Sequence, residues 1–302
     1  MLQLMIANTP EVRPYEIAPH LTVAPDLTRV RELKAEDTKE VLNFLSFRPV
    51  HTVVMTSWIN DNGIVSELNR GKFYGYRNIS GVLEGVALIG HSTLVEARSE
   101  KALKALAITA RTSETPIHLI MSSGTAAESF WQHMTDGLTQ PRLTFTEALF
   151  EIAFPFAVQK SDWQIENARM EHLLPVAEAQ AEVAFMESDV DPMARDRDGF
   201  LKRVARRIEQ NRVFIVTDGD LLVFKADIIA ETDEVIYLEG IYVSEKYRGQ
   251  GIGSECLSAL TLQLLDRAEH ICMLSNVDFT GAHKSFVKAG FRNTDHCTTL
   301  FV

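Results

Sequence analysis

The chain has 302 residues, which at roughly 150 per domain is room for about two domains with real cores. Apolar residues make up 46% and charged residues 24%, a globular balance that excludes collagen, coiled-coil arrays and intrinsic disorder. The formal net charge of −11 argues against a protein that tracks nucleic-acid phosphates and leaves a surface better suited to cationic partners.

In chain order, the first 30 residues carry Pro10, Pro14, Pro19 and Pro25 without periodicity and read as an extended lead-in. Their apolar runs are short and no basic stretch precedes them, so neither a signal segment nor a membrane span is expected. Residues 31–49 place Val41, Leu42 and Leu45 at helical spacing, with Asp37 as cap and Pro49 as stop. KFYGYRNI and GVLEGVALIGH predict a hairpin, and STLVEA a third strand. SEKALKALAITAR is a predicted helix with Leu103, Leu106 and Ala110 on one face. TPIHLIMS reads as a strand, AAESFWQHM as a helix, and LTFTEALFEI as the strand that closes the first half.

The character changes around AFPFAVQKSDWQIEN, which places a boundary near residue 162 and divides the chain into a lead-in (1–30), a first domain (31–162) and a second (163–302). The net charge is −3 up to residue 162 and −8 beyond it. LLPVAEAQAEVAFMES, with Val176, Ala179, Val183 and Met186 on one stripe, and DGFLKRVARRIEQN are helices joined by the loop MESDVDPMARDRDGF. RVFIVTDGDLLVFKADIIA is two strands about an Asp218-Gly219-Asp220 turn, and VIYLEGIYVS a third. SECLSALTLQLLDRA is a helix, HICMLSN a strand, GAHKSFVKAGF a helix and HCTTLFV the last strand. The halves repeat a similar element order without a residue-level repeat, which predicts an α/β fold with a mixed sheet built from two related units. Cys256, Cys272 and Cys297 form no CxxC pair and no zinc-ligand spacing, so no metal and no disulfide framework is expected, and a cytoplasmic setting fits.

The segment that carries chemistry is Leu238–Ser254, LEGIYVSEKYRGQGIGS. A strand ends at Val243, and a loop of Arg248, Gly249, Gln250, Gly251, Ile252 and Gly253 opens onto a helix at Ser254. Backbone N–H groups at a helix start, unobstructed by side chains, make an anion site, and a pyrophosphate is the natural occupant. The spacing is Arg-x-x-Gly-x-Gly rather than the dinucleotide Gly-x-Gly-x-x-Gly, and no Gly-Lys-Ser/Thr follows, which excludes a Walker A loop.

Arg248, Gly251 and Gly253 match, position by position, the acetyl-CoA loop of the GNAT N-acetyltransferase superfamily. The resemblance extends from Ala168 to Val302 through the element order and the downstream Ala282, Phe286, Gly290 and Phe291. The first half is similar to a degenerate GNAT-like domain of unknown function, and its STLVEA strand runs into RSEKALK with no glycine loop. The resemblance implies tandem GNAT-like halves of the acyl-CoA N-acyltransferase fold. It also implies acetyl-CoA as cosubstrate, held by Ile241, Tyr242, Val243, Arg248, Gly249, Gln250, Gly251, Ile252, Gly253 and Ser254, with Asn276 and Phe286 as further contacts.

An amine with a pKa near 10.4 must lose a proton before it attacks a thioester, which calls for a carboxylate base. Glu239, on the motif strand, is the candidate, and the Val243 N–H would stabilise the developing oxyanion. Many relatives place a Tyr proton donor where this chain has Phe286, and an Asn where it has Phe279, with Asn276 as the possible replacement. Glu187, Asp189 and Asp191 of the helix–helix loop are candidates for holding a cationic acceptor. The expected activity is acetyl transfer to the primary amine of a small molecule or peptide. The alternative is a catalytically weak acyl-CoA-binding regulatory module whose first half recognises a partner. Oligomeric state stays open between monomer and homodimer. If the first half forms one wall of the acceptor groove, removal of residues 1–162 should abolish turnover and spare CoA affinity.

Overall fold

The computed structural model describes residues 26–154 and 161–302, so the expected lead-in lies outside the described residues apart from 26–30. In the first half, β1 (Val30–Glu32), α1 (Thr38–Leu45), α2 (Pro49–Asn62), β2 (Gly71–Arg77), β3 (Leu83–Gly90), β4 (Ser92–Ala97), α3 (Glu100–Ala110), β5 (Leu119–Ser123), α4 (Ala126–Thr135) and β6 (Leu143–Ile152) follow in turn. The second half runs β7 (Glu166–Asn167), α5 (Leu173–Ser188), α6 (Pro192–Glu209), β8 (Val213–Asp218), β9 (Leu221–Glu231), β10 (Val235–Val243), α7 (Ile252–Leu264), β11 (His270–Asn276), α8 (Thr280–Lys288) and β12 (Arg292–Phe301).

Two local expectations need correction. Pro49 does not simply stop a helix: it occupies the first turn of α2, where its missing N–H costs nothing. α2 has no single apolar stripe because it packs on two sides, Met55 and Ile59 against β2–β4 and Val53 against Leu149, Val235 and Tyr237 of other strands. Asp37 does stand at the N-cap of α1, but its side chain makes no capping bond there and instead is a buried ion-pair partner of Arg31 and Arg77.

The twelve strands of the described residues form one sheet in the order β1-β2-β3-β4-β5-β12-β6-β11-β10-β9-β8-β7. The strand expected to close the first half does not stay there: β6 pairs antiparallel with β11 on one side and β12 on the other. β12 in turn lies against β5, with Cys297 opposite Ser123 and Phe301 opposite Leu119. Each half thus takes its last inner strand from the other. The exchange extends into the cores, since Ala148, Phe150 and Ile152 of β6 pack with α7 and α8 while Leu300 of β12 packs with α3 and α4. No break in the sheet accompanies the boundary expected near residue 162.

The first half has no open loop after its β4. Ser99 caps α3 through its hydroxyl, which accepts the Ala102 N–H at 3.3 Å, and Arg98 lies over the rings of Phe44 and Phe47. Among the described residues no helix is long and apolar enough to cross a membrane.

Candidate active site

The site begins with a fault in β10. Glu239 and Tyr242, three residues apart, sit opposite Asp227 and Lys225, two apart, so one residue bulges out of the ladder. Gly240 supplies the required left-handed backbone, φ 60°. A Cβ there would lie 2.5 Å from Gln180 Oε1 and 2.7 Å from Lys225 Nζ, so a side chain would strain the backbone and push both of these groups aside. Fully buried Lys225 clamps the bulge: its ammonium donates to Gly240 O at 3.2 Å and Gln180 Oε1 at 2.5 Å. It also meets Asp227 at 2.8 Å, and Asp227 is shared with Arg207 at 2.9 Å. Burial lowers the Lys225 pKa, and the Asp227 charge opposes that.

Beyond the bulge the sheet opens. β10 pairs in parallel with β11 only from Val235 to Leu238, whereas β11 stays paired with β6 as far as Asn276. The backbone of Ile241, Tyr242 and Val243 therefore has no ladder partner on the β11 side, and a cleft of about 730 Å³ occupies the gap. Leu274 and Ser275 form its opposite wall.

One end of the cleft is the glycine loop. Gly249 (φ 75°) and Gly251 (φ 88°) adopt left-handed conformations with nothing crowding them, and Gly251 is the N-cap of α7. A Cβ on Gly253 would touch Val243 at 3.0 Å, so glycine there lets helix and strand approach. Arg248 donates from Nε to Val243 O at 2.8 Å and pairs with Glu182 at 2.7 Å. Lys284 and Lys288 of α8 line the same cleft, which gives it three cationic side chains.

The other end is acidic. Glu239 accepts a hydrogen bond from Tyr237 at 2.6 Å and lines the cleft together with Glu187 near the end of α5. Glu187 is open to solvent as a residue. Its carboxyl nevertheless lies among enough protein atoms, and near enough to Glu239 and Glu147, that its pKa is pushed up to about 7. Val183 and Met186 of α5 add apolar surface beside Glu187, and Phe279 lines the same cleft.

Of the residues expected from sequence, Glu239, Ile241, Tyr242, Val243, Arg248, Gly249, Gly251, Gly253, Ser254, Phe286 and Glu187 line this one cleft. Five others do not. Gln250 turns back to donate to Lys246 O, Ile252 is buried in the core, and the Asn276 side chain accepts the Asp278 N–H at 2.9 Å. Asp189 and Asp191 lie outside because the expected loop is mostly helix: α5 runs to Ser188 and α6 starts at Pro192, with Asp191 as its cap, accepting the Met193 N–H. Phe286 is wall, edge-on to Phe150 with ring centres 5.3 Å apart. Cys256 is buried and its thiol is pushed up to about 12, so burial outweighs the helix start. Lys225, Gln180, Tyr237 and Glu147 were not expected. Only Tyr237, two residues before Glu239 and so on the same strand face, carried a local signal.

No curated protein matches the chain. Residues 209–293 match the family model described as the acetyltransferase (GNAT) domain. Among solved structures, the chain resembles an acetyltransferase of the GNAT family from Colwellia psychrerythraea (15% identity, 90% of this chain and 98% of that one, TM-score 0.52). It also resembles a tandem GNAT protein from the clavulanic acid biosynthesis pathway (11% identity, 90% and 97%, TM-score 0.55). A third likeness is to a GCN5-related N-acetyltransferase from Sphaerobacter thermophilus (12% identity, 90% and 94%, TM-score 0.57). At these identities the likeness speaks for the fold, that of the acyl-CoA N-acyltransferases in tandem form.

Proposed function

With a GNAT domain at residues 209–293 as premise, we propose that this protein transfers acetyl from acetyl-CoA to a primary amine by direct attack in a ternary complex. The observation that carries the reading is one cleft with an unpaired strand edge between a cationic glycine-loop end and a carboxylate end. The loop glycines, the first-turn N–H groups of α7 and the cations Arg248, Lys284 and Lys288 suit the phosphates of CoA. The edge of Ile241–Val243 that β11 leaves unpaired suits the extended thioester arm, and the Val243 N–H would stabilise charge on the carbonyl oxygen.

At the acidic end, Glu239 is held by Tyr237 and Glu187 has a proton affinity matched to neutral pH. The pair binds the ammonium and accepts its proton; the amine nitrogen then forms the C–N bond as the C–S bond breaks. Like-charge repulsion at this end disfavours anionic acceptors. Phe286 supports a second reading, a regulatory acyl-CoA-binding module, because the wall lacks a hydroxyl at that position to protonate the leaving thiolate.

Thermal unfolding with acetyl-CoA is the test. At about 100 times Kd, binding adds roughly 2.7 kcal/mol of stability, and Arg248→Glu with Gly251→Asp removes the gain. No shift in the wild type would overturn both readings. Binding without turnover across amino acids, polyamines, aminoglycosides and peptides would select the regulatory one.

A further inference from the structure

Glu147 belongs to β6, the strand the first half lends to the second. It lies opposite Asn276 of β11 and Cys297 of β12, and directly paired residues point to the same face of a sheet. Two residues on, Leu149 packs with Tyr237 and Cys272, so the face that carries Glu147 is the one that carries Tyr237 and its hydrogen-bonded partner Glu239. The Thr299 hydroxyl of β12 donates to the Glu147 carboxylate and fixes it. Within the second half's sheet, only the opened gap and β11 separate this side chain from the carboxylates of the cleft. Glu147 does not itself line the cleft.

The geometry points to Glu147 as a positioning residue of the acceptor end: through the exchanged strand, the first half holds a negative charge behind Glu187 and so decides how readily that carboxylate takes a proton from an incoming ammonium. Its chemical consequence rests on the acetyltransferase reading above, whereas the coupling itself does not. The groups that face Glu187 are Glu239 from β10, Glu147 from β6 and Lys225 from β9, the last already paired with Asp227, which Arg207 shares. Facing Glu147 are Thr299 and Cys297 from β12 and Tyr237 and Glu239 from β10. Lys225 is the cation among these neighbours, and it is committed to the bulge. Two carboxylates therefore act on Glu187 with little relief, and each raises its hold on a proton. A base that holds its proton near neutral pH is the one best suited to draw a proton from an amine at working pH.

The experiment is a pH titration of the glutamate side-chain carboxyl carbons by NMR in the full chain, with the Glu187 resonance assigned through Glu187→Gln. In Glu147→Gln, which keeps size and hydrogen-bonding atoms but removes the charge, the Glu187 midpoint should fall by about half a pH unit or more. Glu147→Asp should keep the wild-type midpoint or nearly so. Thr299→Val, which withdraws the fixing hydroxyl without changing the charge count, should move it the same way by less, and serves if Glu147→Gln does not fold. A Glu187 midpoint unchanged in the variants would overturn the proposal. The titration needs no turnover, so a protein that binds no acetyl-CoA but shows the shift would fail the acetyltransferase reading and leave the coupling standing. Where turnover is measurable, the acid limb of kcat/KM should move to lower pH by the same amount in Glu147→Gln while the KM for acetyl-CoA stays put.

Discussion

Glu187 holds a carboxyl with a pKa near 7 at the mouth of a cleft, a state that costs stability and serves chemistry. A carboxyl whose folded pKa lies above its ordinary 4.5 binds more protons folded than unfolded between those two values. Stability is then lost as pH rises through that window and stays lower above it. Glu187→Gln should therefore be more stable than wild type above pH 7, with the difference vanishing below 4.5, as read by denaturant midpoints across pH. The same variant should lose the acid limb of the pH–rate profile and about 10² to 10⁴ in kcat. A stability difference of the opposite sign would remove the case for Glu187 as a strained, functional carboxyl. Glu239 could be named from sequence because the motif strand identifies it. The state of Glu187 could not, since it follows from burial and from neighbours that are remote in the chain.

At the scale of elements, the bulge in β10 and the loop before α7 convert a strand and a helix into a binding cleft. Gly240 is the hinge of that conversion. Its φ of 60° strains any L side chain, and a methyl group would push aside the ends of Gln180 and Lys225, so Gly240→Ala should cost roughly 1–3 kcal/mol. It should also displace the Lys225 ammonium from the bulge carbonyl and abolish the thermal shift with acetyl-CoA. A variant with wild-type stability and binding would mean the bulge does not shape the cleft. Most elements were legible: the β2–β3–β4 meander, α3, α7 and α8 follow from periodicity and turn residues alone. α2 was not, because a helix buried on two sides shows no stripe. The α5–α6 connection also misled, since its acidic and Pro residues read as loop where Asp191 and Pro192 in fact start a helix.

For the whole molecule, the exchange of β6 and β12 makes the halves interdependent. Removing residues 1–162 takes away β6, so β11 and β12 lose their shared partner and the α7–α8 core loses Phe150 and Ile152. The expectation that such a truncation spares CoA affinity does not survive this topology. Residues 163–302 alone should give no cooperative unfolding transition, whereas the full chain should unfold in one transition by calorimetry and by circular dichroism. Coexpression with residues 26–162 should restore a soluble complex. A folded, CoA-binding fragment 163–302 would show that β6 is dispensable. α2 reinforces the dependence by placing Val53 against Tyr237 and Val235, and Ser57 against the Glu231 N–H.

The sequence by itself determined what is local: the element order, the glycine loop with its anion-binding helix start, the motif strand with Glu239, and the missing hydroxyl at Phe286. These are legible because backbone freedom at glycine and apolar periodicity act over a few residues. The tertiary structure decided which strands are neighbours, because ladder hydrogen bonds are made by backbone groups that nearly every residue carries, and the choice of partner falls to long-range packing. It also decided that carboxylates from α5, β6 and β10 share one electrostatic field, since proton affinity is set by burial and by charges brought together only when the chain has folded.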